Sequence, residues 1–172
     1  MAADSGIVIV ASPDLELVLL ARSLGAEAYH ADSIDEEDVL TRYIAAAKHF
    51  ELGRIIRVCG DCPMIDPEDI RRLAEQSTDL PYVAFWDVDN HRPAIVGHAG
   101  KPELIHLGEL EHISEFCGDC REHVTHGIYK RPRPAWRTWI RQQGIGSLRL
   151  TIDTPEDVKE VERCMTSQSL VA

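Results

Sequence analysis

Apolar and polar positions along this chain fall into short runs, and several runs end in the same kind of turn. Residues 7–10 (IVIV), 55–58 (IIRV) and 148–152 (LRLTI) are β-like, rich in branched side chains. Each leads to a helix start of one design, in which Ser12, Asp66 or Thr154 stands before a proline followed by acids. A capping oxygen accepts an orphan backbone N–H, proline tolerates the first helical position, and acids suit the positive helix end. Strand, capped turn and helix in repetition predict a mostly parallel sheet flanked by helices, an α/β fold.

Between these units, residues 33–36 (SIDE) have the form of a capping box. They lead into a helix whose Val39, Leu40, Tyr43, Ile44 and Ala47 share one face, a core face with no assigned chemistry. Residues 26–29 and 82–85 read as further short strands, and 87–102 as a loop punctuated by glycine and proline. Residues 121–131 read as a helix and 132–147 as irregular chain. There is no repeat, low-complexity tract or linker, so residues 1–172 form one expected domain.

Charge narrows the partners. A formal net charge of -11 argues against a nucleic-acid backbone, which needs clustered Lys and Arg. The one basic strip, Lys130, Arg131 and Arg133, reads as solvated surface. Nucleotides stay open, because a bound cation can carry the neutralising charge. No apolar run approaches the roughly 20 residues of a membrane helix, and the start lacks a secretory pattern, so the cytoplasm is the expected compartment. In that setting the five cysteines read as free thiols. Two identical CGDC tetrapeptides, 59–62 and 117–120, still leave open a zinc-stabilised interaction domain using Cys59, Cys62, Cys117, Cys120 or His123.

Ligands of open α/β sheets sit beyond the carboxyl ends of the strands. Asp61 follows one strand, beside Gly60, and Asp153 follows another. Two carboxylates at such ends suit Mg²⁺, which takes its remaining ligands from water and phosphate. Acidic residues also serve simply to cap turns, and spacing alone does not decide between the two roles.

The wording around these positions adds a resemblance. DEEDVLTRY at 35–43, CGDCPMIDP at 59–67, REHVTHGIY at 121–129 and LRLTIDTPED at 148–157 occur in order. Together they closely resemble the acylneuraminate-type cytidylyltransferase family, above all its spore-coat polysaccharide biosynthesis branch. The match runs from about residue 7 to 163, leaving 164–172 as a tail. It implies a Rossmann-like nucleotidyltransferase domain that transfers CMP from CTP to an acidic or amino sugar, for surface polysaccharide or glycan biosynthesis. The expected partners are CTP or a CMP-sugar and a sugar acceptor, with a homodimer as the usual assembly.

Site residues follow by position. Asp61 and Asp153 match Mg²⁺ ligands, and Gly60 lets the backbone approach the nucleotide. Arg42 matches an arginine near the nucleotide pocket, with a helix-surface salt bridge as its alternative role. Glu103 matches an acid of the sugar-side segment, although Lys101 stands where the family has an aspartate. His123 falls in a motif either as substrate contact or as a buried, hydrogen-bonded histidine. No residue is assigned a catalytic proton transfer.

One departure stands at the front. Nothing here resembles the family's A-R-x-x-S-x-R-L-P-G-K loop, and the chain enters at what resembles the second strand. The resemblance then implies a fold N-terminally short of a βα unit of roughly 30 residues, with unpaired strand edges. Three readings follow: a truncated start of an active cytidylyltransferase, a degenerate non-catalytic nucleotide-sugar-binding or interaction domain, or a unit supplied by a partner chain; without the loop the chain alone is expected to be inactive.

Overall fold

The computed structural model describes residues 6–76, 79–94, 101–116, 118–129, 138–142 and 151–169. Its elements run β1 (Ile9–Ser12), α1 (Leu15–Ser23), β2 (Glu27–His30), α2 (Val39–His49), β3 (Arg54–Arg57), α3 (Pro67–Ala74) and β4 (Tyr82–Asp87). They continue with β5 (Arg92–Pro93), β6 (Glu103–His106), α4 (Leu107–Phe116), a 3-10 turn (Gly118–Cys120), α5 (His126–Tyr129), β7 (Thr138–Gln142) and α6 (Pro155–Ser169). β1 and β2 form a parallel pair. A five-stranded sheet has the order β3-β6-β4-β5, with β7 also pairing with β4. β7 lies parallel to β4, whereas β5 is antiparallel to it.

The caps show how local chemistry sets the helix starts. Asp66 caps α3 through the Glu68 N–H at 2.9 Å, with Pro67 in the first helical position. At α6, the N–H and hydroxyl of Thr154 donate to the Asp157 carboxylate, and the Asp157 N–H donates back to Thr154 Oγ1. Both starts match the sequence grammar. The other two shift. α1 is capped by Asp14, not Ser12: Asp14 sits in extended backbone and its carboxylate accepts from the Glu16 N–H at 2.7 Å. Ser12 Oγ instead accepts from the Asp14 N–H and braces the turn. α2 starts after Asp38, whose carboxylate accepts from Thr41, while Asp35 of the expected capping box closes a local turn with the Glu37 N–H.

Two more expectations move. Among the described residues of the expected helix at 121–131, only the single turn α5 is α-helical, and β7 occupies part of the stretch expected to be irregular. β7 takes its hydrogen bonds from β4, a partner distant in sequence that local propensity does not report. The expected strand at 148–152 lies mostly outside the described residues.

By contact the chain divides into two compact units, each assembled from three segments. The first comprises Met1–Ile55, Thr78–Tyr82 and Ile105–Arg137. Here Val18 and Ala21 of α1 pack with Ala28 of β2, Val10 and Ala26. Leu40, Ala46 and Ala47 are the buried residues of α2; Leu40 and Ala47 belong to the expected face, whose Val39, Tyr43 and Ile44 are only partly buried. The far face of α1 is apolar and exposed: Leu15, Leu17, Leu19, Leu20 and Leu24 are each at least half accessible.

The second unit comprises Ile56–Ser77, Val83–Leu104 and Thr138–Ala172. Val83, Ala84 and Phe85 of β4 are fully buried, which explains a continuous apolar run instead of an alternating one. The β4–β5 connection turns on Asp87, itself buried, whose carboxylate accepts from the N–H groups of Asp89 and Asn90 and from the Asn90 amide.

Candidate functional site

The second unit carries the turn at residues 59–62, just past β3. The Cys62 N–H donates to the Cys59 carbonyl at 3.2 Å, closing a turn over Gly60 and Asp61. A Cβ at Gly60 would meet no protein atom within 4 Å, so the space beside the turn is open. The Ile152 N–H then donates to the Asp61 carbonyl at 2.8 Å. That bond lays the residue preceding Asp153 directly against Asp61. A second stitch joins the same segments, as Cys62 Sγ lies 4.0 Å from Thr151 Oγ1.

Both aspartates are exposed. The turn at Asp153 is held from behind, because the Asp157 carboxylate accepts from the N–H groups of Asp153 and Thr154. Asp61 Oδ1 accepts from the Cys62 thiol at 3.4 Å. The two thiols titrate unequally. A hydrogen bond from Cys62 holds the Cys59 thiol down to about 7, against its own burial and helped by the Arg57 guanidinium. The Cys62 thiol is pushed up by its bond to Cys59, by burial and by the Asp61 carboxylate.

Glu103 is 1 % exposed at the start of β6 and accepts from Arg57 Nη1 at 2.8 Å. Lys101 pairs with the buried Asp69 of α3, which also faces Arg72. Lys101 and Arg72 both lie over the Phe85 ring, 5.5 and 5.1 Å from its centroid. The segment 101–103 is thus fixed by ion pairs at each end. Sequence reading missed Arg57, Asp69 and Thr151 as parts of this surround. The one signal was RIIR in β3, since a charged side chain on a half-buried strand demands a partner.

Arg42 and His123 belong to the first unit. Arg42 Nη2 donates to the Glu36 carbonyl at 2.9 Å, while its Nη1 is buried without a hydrogen-bond partner. The expected alternative of a surface salt bridge is replaced by this main-chain contact. His123 is exposed, its ring 4.7 Å from that of His126, so the buried alternative does not hold. Nearby, Asp35, Glu37, Asp38, Gly118, Arg121 and Glu122 line a depression of about 400 Å³. Partial burial raises the Asp38 carboxyl, but the Thr41 N–H and hydroxyl and the Arg121 guanidinium outweigh it and hold it below its usual value.

The zinc reading loses Cys120 as a ligand. Cys120 is fully buried and disulfide-bonded, which also corrects the expectation of free thiols at that position. Among the described residues no group of three or more His, Cys, Asp or Glu side chains is placed to hold a metal. Cys117 lies outside the described residues. A hydrated cation asks for less, since one or two carboxylates beside open space are enough when phosphates and waters complete the shell. Among the described residues no helix is long and apolar enough to cross a membrane.

Comparison with known proteins gives this geometry a family. The chain is 30% identical over 158 residues to an uncharacterized protein of Methanocaldococcus jannaschii, covering 85% of this chain and 58% of that one. It is 31% identical over 136 residues to the spore coat polysaccharide biosynthesis protein SpsF of Bacillus subtilis, covering 74% and 53%. The chain therefore spans a little over half the length of these curated relatives. A cytidylyltransferase from Leptospira borgpetersenii superposes with a TM-score of 0.76 at 20% identity, over 94% of this chain and 68% of that one. A CMP:2-keto-3-deoxy-manno-octonic acid synthetase complexed with CTP superposes with a TM-score of 0.69 at 15% identity, over 95% and 82%. These two likenesses show the fold, an α/β nucleotidyltransferase-like fold. A family model described as cytidylyltransferase matches residues 2–107, more than half of the sequence, and the chain belongs to the cytidylyltransferase family.

Proposed function

We propose that this chain holds CTP through a divalent cation at Asp61 and Asp153, and serves the transfer of CMP to an acidic or amino sugar in surface polysaccharide biosynthesis. The observation that supports the reading is the hydrogen bond from the Ile152 N–H to the Asp61 carbonyl, which joins the two segments that carry these exposed aspartates. The donor set suits Mg²⁺: hard oxygens, few in number, beside a turn with open space. When bound, the cation would neutralise triphosphate charge and the charge that develops at the transferring phosphoryl group. The protein's own part is to hold the carboxylates in place, through the turn closed by Cys62 and the Asp157 bracket behind Asp153. With a net charge of -11 the chain repels a bare triphosphate, so nucleotide binding should require the cation.

Arg42, Gly60, Glu103 and His123 are proposed as further ligand contacts, each on its sequence position. The unpartnered Nη1 of Arg42 supports an anionic ligand there, because a buried guanidinium nitrogen is costly without an acceptor. Glu103 and His123 are proposed for the acceptor side on sequence position. The spore-coat relative supports placing this chain in the acylneuraminate-like branch.

The test is a thermal-shift titration with CTP, with and without Mg²⁺, on the chain and on Asp61→Asn and Asp153→Asn. The chain should be stabilised only with both present, and each substitution should weaken the effect at least tenfold, about 1.4 kcal/mol. An equal shift in the variants refutes the site. Pyrophosphate release with candidate sugars then separates a complete transferase from a domain that binds nucleotide without turnover.

A further inference from the structure

The geometry points to Cys59 and Cys62 as a redox-active dithiol that a low-molecular-weight disulfide converts to an internal disulfide. Neither thiol belongs to a disulfide in the structure. The hydrogen bond from the Cys62 N–H to the Cys59 carbonyl makes them the first and last residues of a tight turn. Such a turn keeps its ends within about 7 Å between Cα atoms, which meets the span a disulfide needs. Cys59 is partly accessible and Cys62 only 8 % exposed, which assigns their order of action.

The Cys59 thiolate attacks one sulfur of the incoming disulfide, forming a mixed disulfide and releasing one thiolate. The Cys62 sulfur then attacks Cys59 Sγ, giving up its proton and expelling the second thiolate. The dithiol loses a pair of electrons and a pair of protons, and the small disulfide becomes two thiols. Oxidation also removes the S–H that Cys62 donates to Asp61 Oδ1, so the turn's aspartate loses a hydrogen-bond donor. This proposal concerns the thiols themselves and stands or falls separately from nucleotide binding. A purely structural role for the pair predicts no such reaction.

The experiment uses the whole reduced chain, glutathione disulfide as oxidant, an alkylating quench and tryptic mapping. Residues 58–71 form one tryptic peptide containing only these two cysteines, and Cys164, a third free thiol, is the internal control. The expected result is a peptide that escapes alkylation and is lighter by a pair of hydrogens, while Cys164 remains mostly alkylated. In Cys62→Ser the peptide should instead retain glutathione on Cys59. In Cys59→Ser the buried Cys62 should stay free of glutathione. A wild-type peptide that remains doubly alkylated, or that stops at the mixed disulfide, overturns the proposal. The wild-type result decides it even where a variant fails to fold.

Discussion

The ion pair between Arg57 and Glu103 shows how much a single buried charge demands. Glu103 is 1 % exposed and Arg57 pairs with its carboxylate, and removing one partner of a buried pair leaves the other charge uncompensated. Truncation by Glu103→Ala should therefore destabilise by roughly 3 to 5 kcal/mol, and Arg57→Met combined with Glu103→Leu should recover most of the loss. Urea denaturation of the set checks this, and an additive double variant would contradict the pairing. Asp38 is the contrasting case, a half-exposed cap. Its pKa is lowered in the folded state, so its contribution is fully present above the ordinary value of 3.8 and disappears as pH falls through the folded value. Asp38→Ala should cost about 1 kcal/mol near neutrality. It should also flatten the acid limb of the stability profile, measured by melting temperature against pH.

At the scale of elements, helix ends and close contacts decide tolerance. Gly127 in α5 lies against its surroundings so tightly that an added Cβ would meet Cys120 Sγ at 3.0 Å and Ile113 Cγ2 at 3.2 Å. Gly127→Ala should thus destabilise by about 1 to 3 kcal/mol despite alanine's better helix propensity. A variant as stable as the parent in chemical denaturation would contradict that packing. Gly60 is the opposite case: nothing stands within 4 Å of its missing Cβ, so Gly60→Ala should leave stability nearly unchanged. Any loss of CTP binding in Gly60→Ala then reports on the ligand's approach and not on folding, a comparison that titration and melting curves make together.

For the whole molecule, the exposed leucines of α1 are the conspicuous surface. Four of them lie on one short helix and Leu24 caps its end, with Ile7 and Val8 also exposed before β1. A contiguous apolar surface of this kind drives association. Replacing Leu17 and Leu20 by Glu should reduce concentration-dependent association in light scattering. Stability should shift by less than about 0.5 kcal/mol, because neither side chain belongs to the core. A change in association without a change in stability separates surface from core.

Much of this protein was already written in its residue order. The α/β class, the face of α2 and the capped starts of α3 and α6 follow from periodicity and cap chemistry, which act within a few residues. Asp61 and Asp153 were singled out by two motifs, yet their segments meet through a main-chain bond between positions 91 residues apart, from Ile152 to Asp61. No local pattern encodes that. The partners of Glu103 and Lys101, the strand β7, and the exposure of His123 were likewise decided by tertiary contact, because burial and pairing are properties of what packs against a residue. The sequence by itself determined which groups are available for chemistry and where helices begin. The tertiary structure determined which of those groups face each other, since only folding brings distant backbone donors and acceptors within reach.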